Sequence, residues 1–351
     1  MSFKRVLTFV SVAGLALAAC ATPAGTTAPT TTPTLAPTAS PSAAPSASPS
    51  ATASATASLA ASPSSSASAS PAALCPKDEL VLKNPGRLTL STDNPSFPPW
   101  WGGDPKVQYP GEPEGGSGWE LSDPYSQEGF EGATAYAIAD VMGFEVDEVD
   151  WVPNVVFENA FAPGAKPFDF HMAQLAITPE RAEAVDFTDP YFELNQSLIA
   201  LSSNPITNVT SVADLKGYTL GAAANTTSFD LIEDFIQPTA EPRNYPSNDL
   251  AVEALKAGGE GGLDGLIVDI GTAFYMRDAQ IENYDTPDPE AKIVGQFGPP
   301  AVADKVGAVL EKGSPLTACV NAAIASLWLD GSQQARIDEW IATGQDIPFF
   351  E

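Results

Sequence analysis

One histidine and three cysteines limit the chemistry open to this chain. His171 stands alone, so any site needing two imidazoles is excluded, including most catalytic zinc sites and every His-x-x-x-His arrangement. Cys20, Cys75 and Cys319 are too few for a zinc ribbon. There is no CxxC, no GxGxxG and no phosphate-cradling GxxxxGK[ST]. No metal or cofactor is implied. Charge narrows the field further. Over 351 residues the formal net charge is −28, and Lys4 and Arg5 are the only charges before Lys77. Everything from Lys77 onward holds all 44 acidic residues against 14 of the 16 basic ones, a net of −30. Such a surface repels phosphate backbones and excludes nucleic acid as a partner.

The N-terminus reads MSFKRVLTFVSVAGLALAAC, a basic start and then an apolar stretch of about a dozen residues. That is shorter than the ~20 residues a membrane-spanning helix needs and has the form of an export signal, residues 1–19. Leu17-Ala18-Ala19-Cys20 resembles the bacterial lipoprotein box, in which the cysteine is acylated and becomes the mature N-terminus. The alternative is an ordinary signal peptide with a chance cysteine. Two or more acyl chains give stable anchoring. The expected location is therefore outside the cytoplasm, on the outer face of the cell membrane or in the periplasm. Residues 21–73 are almost wholly Ala, Ser, Thr and Pro, so 20–74 reads as a lipidated cysteine and a disordered tether. Its root-mean-square reach is on the order of 40 Å. With Cys20 acylated, Cys75 and Cys319 remain in an oxidising compartment and read as a disulfide, the alternative being two unrelated buried thiols.

At ~150 residues per domain the chain suggests about two domains, and the remainder from 75 is long enough for two lobes. Short apolar runs alternate with helical patterns, which predicts an α/β fold with mostly parallel strands. Strands are expected at Arg87–Ser91, Glu148–Val152, Phe168–Leu175, Thr219–Ala222 and Gly265–Asp269, and helices at Ala133–Met142, Thr227–Ile236, Asp249–Ala257 and near Leu316–Leu327. The order implies a first lobe over 75–200, a second over 201–305 and a return to the first over 306–351. Leu198–Ser202 and Val306–Leu310 are the expected hinge strands. Ligands of open α/β sheets bind beyond the carboxyl ends of the strands, so a cleft between the lobes is the expected site.

TDNPSFPPW, GFEGATAYAIADVMGF and AITPERAEAVDFTDPYF, followed by SVADLKGYTLGAAANTTSFDLIEDF and AVEALKAGGEGGLDGLIVDIGTAFY, resemble the family 3 extracellular solute-binding proteins. These are the amino-acid receptors of ABC importers. The resemblance runs over residues 85–345 and implies a type II periplasmic-binding-protein fold that closes around an amino acid. It also implies ABC permease and ATPase subunits as partners, membrane contact through the lipid anchor alone, and a monomer. Arg181 of ITPER matches the family's carboxylate-binding arginine, whose planar fork suits a bidentate contact. Thr226 and Thr227 stand where a loop enters a helix, whose N–H groups face the same carboxylate. Asp269 matches the ammonium-binding acid, with helix capping as its alternative role. Asp93, Phe97 and Trp100 match the loop covering the ligand, with core packing the alternative for Trp100.

The chain departs from the family pattern at Gln174 and Ala176, before the arginine motif, and at Asn225, where the family carries glycine. Asn tolerates positive φ, so that turn can survive. Residues 102–127 form an extended Gly- and Pro-rich stretch, expected to cover or narrow the entrance. The ligand expected is an amino acid with a polar side chain. Two other classes remain open on this fold: a ligand sensor without transport, and a dehydratase using Asp93, Asp269 or His171 as acid or base.

Overall fold

The computed structural model describes residues 75–116, 118–153, 155–259, 261–281, 290–298, 303–341 and 346–351. The expected export signal, Cys20 and the expected tether lie outside them. All described residues fall in one unit, Ser65–Glu351.

Strand β1 (Leu88–Ser91) is buried at every position, Thr89 and Ser91 included, as in a strand covered on both faces. The chain then loops through Asp93–Trp101 before helix α1 (Phe130–Val141). Gly129 opens that helix at φ 84°, and a Cβ there would stand 2.5 Å from the Trp100 carbonyl oxygen. Only glycine lets loop and helix approach so closely. β2 (Val149–Val152), α2 (Phe157–Phe161), β3 (Phe170–His171), α3 (Pro179–Ala184) and β4 (Val185–Phe187) follow. Then come β5 (Phe192–Leu194), β6 (Gln196–Leu201), β7 (Leu220–Ala223), α4 (Thr227–Asp230), β8 (Arg243–Tyr245), α5 (Asn248–Ala257), β9 (Gly265–Asp269), α6 (Ile270–Tyr275) and β10 (Ala291–Gln296). The chain returns through β11 (Asp304–Val306), β12 (Val309–Glu311), α7 (Thr317–Leu329) and α8 (Ser332–Trp340).

Two five-stranded sheets result, ordered β2-β1-β3-β12-β4 and β10-β6-β9-β7-β8. They are mixed rather than mostly parallel. β1 runs parallel to β2 and β3, and β7 to β8 and β9, but β12 and β6 enter antiparallel. The reason is topological, since these strands carry the chain between the sheets and arrive from the opposite end. β5 and β11 pair with each other at that crossing, with Val306 opposite Phe192. The expected hinge strands are displaced by a few residues: Leu198–Ser202 lies mainly within β6, just after β5, and Val306–Leu310 runs from the end of β11 into β12.

Other expectations shift as well. The strand expected over Phe168–Leu175 shortens to β3, because Gln174 adopts φ 50° and turns the chain. The helix expected over Thr227–Ile236 is α4 followed by a wider π turn, Leu231–Ile236. No described residue of the 102–127 stretch lines the cleft described below. The stretch packs instead beside β2, a strand at the sheet edge, where Tyr125 Oη accepts from the Trp151 backbone N–H at 3.0 Å. It also pins Asn94, whose Nδ2 donates to the Gly118 carbonyl and whose Oδ1 accepts from Glu120 N–H. Covering an edge satisfies a row of otherwise unpaired backbone groups.

Cys75 and Cys319 form a disulfide with Cα atoms 5.8 Å apart, joining the first described residue to α7. The last residues do not stay with the first sheet. Pro348 and Phe350 exchange backbone hydrogen bonds with Gln296 at the end of β10, and the Phe350 ring meets Phe297 at 4.9 Å. Phe350 is mostly buried there, so apolar burial draws the C-terminus to the second sheet.

Candidate functional site

A cavity of about 390 Å³ lies between the two sheets, beside the crossing strands. Its wall on the first-sheet side includes Asp93, Phe97, Gln174, Ala176 and Arg181. Thr226, Thr227 and Asp269 contribute from the second-sheet side, and Asp304 from β11.

Arg181 owes its place to α3. Thr178 caps that helix, accepting the Arg181 N–H at 3.2 Å, and Pro179 opens its first turn. The guanidinium lies 4.6 Å from the centre of the Phe161 ring and 5.7 Å from Phe157. Nη1 donates to the Ala176 carbonyl at 2.9 Å and Nη2 to the Asn225 carbonyl at 2.8 Å. Stacked and fixed in this way, the fork is held for a planar anion. Burial lowers its pKa, opposed by Asp230, Asp304 and Glu180. Asn225 adopts φ 60°, and Nδ2 reaches Glu158 at 3.4 Å. It spans the two sheets rather than lining the cavity. Ala176 contributes its carbonyl to Arg181 in place of a hydroxyl.

Asp269 ends β9 and caps α6, with Oδ1 accepting the Thr272 N–H at 2.8 Å. The capping role coexists with a place on the cavity wall. Burial pushes its pKa up to about 6 against the Thr272 hydrogen bonds, and the neighbouring charge of Asp304 pushes the same way. Both threonine hydroxyls are engaged within the protein. Thr226 caps α4 and donates to the Ala223 carbonyl, while Thr227 donates to Asp304 Oδ2 at 2.7 Å. The same Asp304 oxygen accepts from Gln196 Nε2 at 2.8 Å. What α4 can still offer an anion is backbone N–H rather than side-chain hydroxyl.

Asp93 lines the cavity with its side chain 34 % exposed, yet Oδ1 is buried without a partner. Burial pushes its pKa up to about 8, with Glu131 and Glu158 adding like-charge repulsion. His171 is fully buried beneath it, and burial and Lys166 push its pKa down to about 3. Phe97 lines the wall and meets Tyr275 at 5.6 Å. Trp100 does not reach the cavity wall. It is 1 % exposed, edge-on to Phe130 and Phe192 at 5.9 Å each, and belongs to the core.

Sequence reasoning missed Glu131 and Asp304. Glu131 is fully buried in the first turn of α1, accepting from Tyr191 Oη, Gln174 N–H and Gln174 Nε2. Burial pushes its pKa up to about 7 in spite of these bonds. An acid in the first turn of the otherwise largely apolar stretch FEGATAYAIADV was the available signal. Asp304 carried none, because its partners Thr227 in α4 and Gln196 in β6 lie 77 and 108 positions away, which no local pattern joins.

This pairing of a fixed guanidinium with cleft carboxylates on two bridged sheets is that of a solute-binding protein. Residues 120–343 match the profile of the bacterial extracellular solute-binding proteins, family 3, and the chain belongs to that family. The match begins after the Asp93–Trp101 loop. The chain is 30 % identical over 174 residues to the ABC transporter glutamine-binding protein of Bacillus subtilis (strain 168), a match covering 49 % of this chain and 58 % of that relative. It is 29 % identical over 177 residues to the ABC transporter arginine-binding protein 1 of Escherichia coli (strain K12), covering 50 % and 67 %. Among solved structures, an ancestral arginine-binding protein bound to glutamine superposes with a TM-score of 0.54 at 26 % identity, over 73 % of this chain and 98 % of that one. The fold is that of the type II periplasmic amino-acid-binding proteins.

Proposed function

We propose that the protein captures an α-amino acid with a positively charged or polar side chain between its two lobes and delivers it to the permease and ATPase of an ABC importer. The observation that carries this reading is one cavity lined by Arg181 from the first-sheet side and Asp269 from the second. A zwitterion needs a cation at its carboxylate and an acid at its ammonium, and Arg181 and Asp269 offer these from opposite sides of one cavity. Beyond that pair the wall keeps Asp93, Glu158, Asp249 and Asp304, a surplus of acid that favours a cationic side chain. Phe97 adds an aromatic face for the aliphatic part of the ligand or for its charge. The arginine- and glutamine-binding relatives support the same substrate class.

Titration calorimetry of the twenty amino acids against the body from residue 75 tests the reading. A cationic amino acid is expected to bind tightest and to be recovered chemically unchanged. Tightest binding of an acidic amino acid, binding of none, or turnover of the ligand would each overturn it. The export signal and Cys20 support anchoring on the outer membrane face. Cys20→Ser is expected to move the protein into the soluble fraction with ligand binding intact, and a variant that still pellets with membranes after high-salt washing would overturn the anchor.

A further inference from the structure

Three buried polar side-chain atoms without a hydrogen-bond partner gather where β1 ends: Thr92 Oγ1, Asp93 Oδ1 and His171 Nε2. The last two face each other at 4.0 Å. On the far side of the ring, His171 Nδ1 lies 2.8 Å from Ser91 Oγ. Ser91 is itself fully buried, and its hydroxyl has no other hydrogen bond among the described residues. If the hydroxyl donates to Nδ1, the ring proton sits on Nε2. The other tautomer would strand the hydroxyl proton in the core, at the cost of an unmade hydrogen bond. A donor on Nε2 therefore points at an unpartnered carboxylate oxygen, roughly 1 Å too far for a hydrogen bond.

We infer that His171 is a positioning residue for the cavity: its Nε2–H closes onto the Asp93 carboxylate when a positively charged ligand group draws that carboxylate into its ionised form. The inference rests on the proposed reading that Asp93 meets the ligand's positive end. The charged and titratable groups acting on Asp93 are His171 from β3, Glu131 from α1 and Glu158 from α2, and Lys166 acts on His171. With its pKa near 8, Asp93 is a neutral acid at neutral pH before ligand arrives. Approach of a cation favours the carboxylate, so the acid proton leaves for solvent. The new charge is then held by the ligand on one side and Nε2–H on the other. His171 stays neutral throughout, since burial holds its pKa far below neutrality, and it adds no repulsion to the incoming cation. Capture of a cation below about pH 8 thus releases one proton.

Because His171 is the only histidine, its ring nitrogens give the only imidazole signals in a ¹⁵N spectrum of the body. The expected spectrum shows the Nε2–H tautomer, unchanged from pH 8 down to pH 5. A Nδ1–H tautomer, or protonation within that range, overturns the inference whether or not any amino acid binds. L-Arginine is the binding probe. In two buffers of different ionisation enthalpy at pH 6.5, calorimetry is expected to report release of about one proton. Its affinity should rise about tenfold per pH unit from 6 to 8 in the wild type. His171→Leu is expected to weaken L-arginine about tenfold or more, and His171→Gln, which keeps a donor near Nε2, to restore most of it. Binding of L-arginine without proton release, or equal affinity in His171→Leu and wild type, would also overturn it. No binding of L-arginine or L-lysine defeats the proposed ligand class and with it the capture step, while the tautomer still decides the pairing by itself.

Discussion

The Trp100 indole N–H donates to Thr272 Oγ1 at 3.1 Å, joining the loop after β1 to helix α6 on the other sheet. The backbone N–H of the same threonine is capped by Asp269, so the loop that the indole anchors and the acid at the cavity share one residue. Between them Gly271 leaves room for the ring, since a Cβ there would stand 2.7 Å from Trp100 Cζ2. The tryptophan therefore supports the site from behind.

Gly271→Ala is expected to push the indole out of its slot. Overpacking a tight contact of this kind typically costs ~1–3 kcal/mol. Weaker amino-acid binding should accompany the loss, because Asp269 and Thr272 move with α6. Urea unfolding and calorimetry read the two effects. A variant within 0.5 kcal/mol of wild type, by the rough scatter of surface substitutions, would show that the slot is loose.

Arg181→Ala and Asp269→Ala should each weaken the best amino-acid ligand by about 30-fold or more, since removing one partner leaves a buried ligand charge unpaired at ~2–5 kcal/mol. Arg181→Lys is expected to fall short as well, because a point charge cannot bind a carboxylate as a fork while also holding the Ala176 and Asn225 carbonyls. Circular dichroism controls for folding. A folded variant that binds within threefold of wild type would remove that residue from the site.

What could be read in advance follows from how local the physics is. Arg181 and Asp269 were legible through the resemblance of ITPER and of the end of LIVD to the family's motifs, which are local, and both residues line one cavity. The cysteine pair was legible by elimination, because the expected export and acylation of Cys20 would leave two thiols. Trp100 was not resolved between cavity and core, as an aromatic residue in a loop carries no periodicity to show which way it faces. The 102–127 stretch announced itself as loop through Gly and Pro, but composition cannot say which surface a loop covers. Asp304 required the crossing of β5 and β11 to be known first.

Reduction of the Cys75–Cys319 bond, or Cys319→Ser, is expected to destabilise the body markedly. The bridge spans 244 positions, and a loop of that length contributes roughly 5 kcal/mol in the chain-entropy account. Ligand affinity should change little, since the bridge joins Cys75 to α7 and neither cysteine lines the cavity. Denaturant melts with and without reductant measure the first point and calorimetry the second. Equal midpoints in the two melts would mean that the bond constrains nothing in the unfolded chain.

The buried acids make a pH dependence of unusual sign for a protein this acidic. Asp93, Glu131 and Asp269 have pKa values near 8, 7 and 6, all above their unfolded values near 4. The native state therefore binds more protons than the unfolded one across that interval, and stability falls as pH rises through it. His171 works the other way, but only below its unfolded value of 6.5, where the native ring resists protonation. Between pH 6.5 and 8.5 the acids act without that opposition. The ligand-free body should lose several degrees in melting temperature over this range, most of it from Asp93 and Glu131. Asp93→Asn and Glu131→Gln are each expected to flatten the slope, and a saturating cationic ligand to do the same by stabilising the Asp93 carboxylate. Differential scanning calorimetry in buffers matched for ionic strength provides the measurement. A melting temperature that is constant or rises from pH 6.5 to 8.5 in the ligand-free protein would show that these carboxylates are already ionised at neutral pH, and that the cavity meets its ligand with its charge in place.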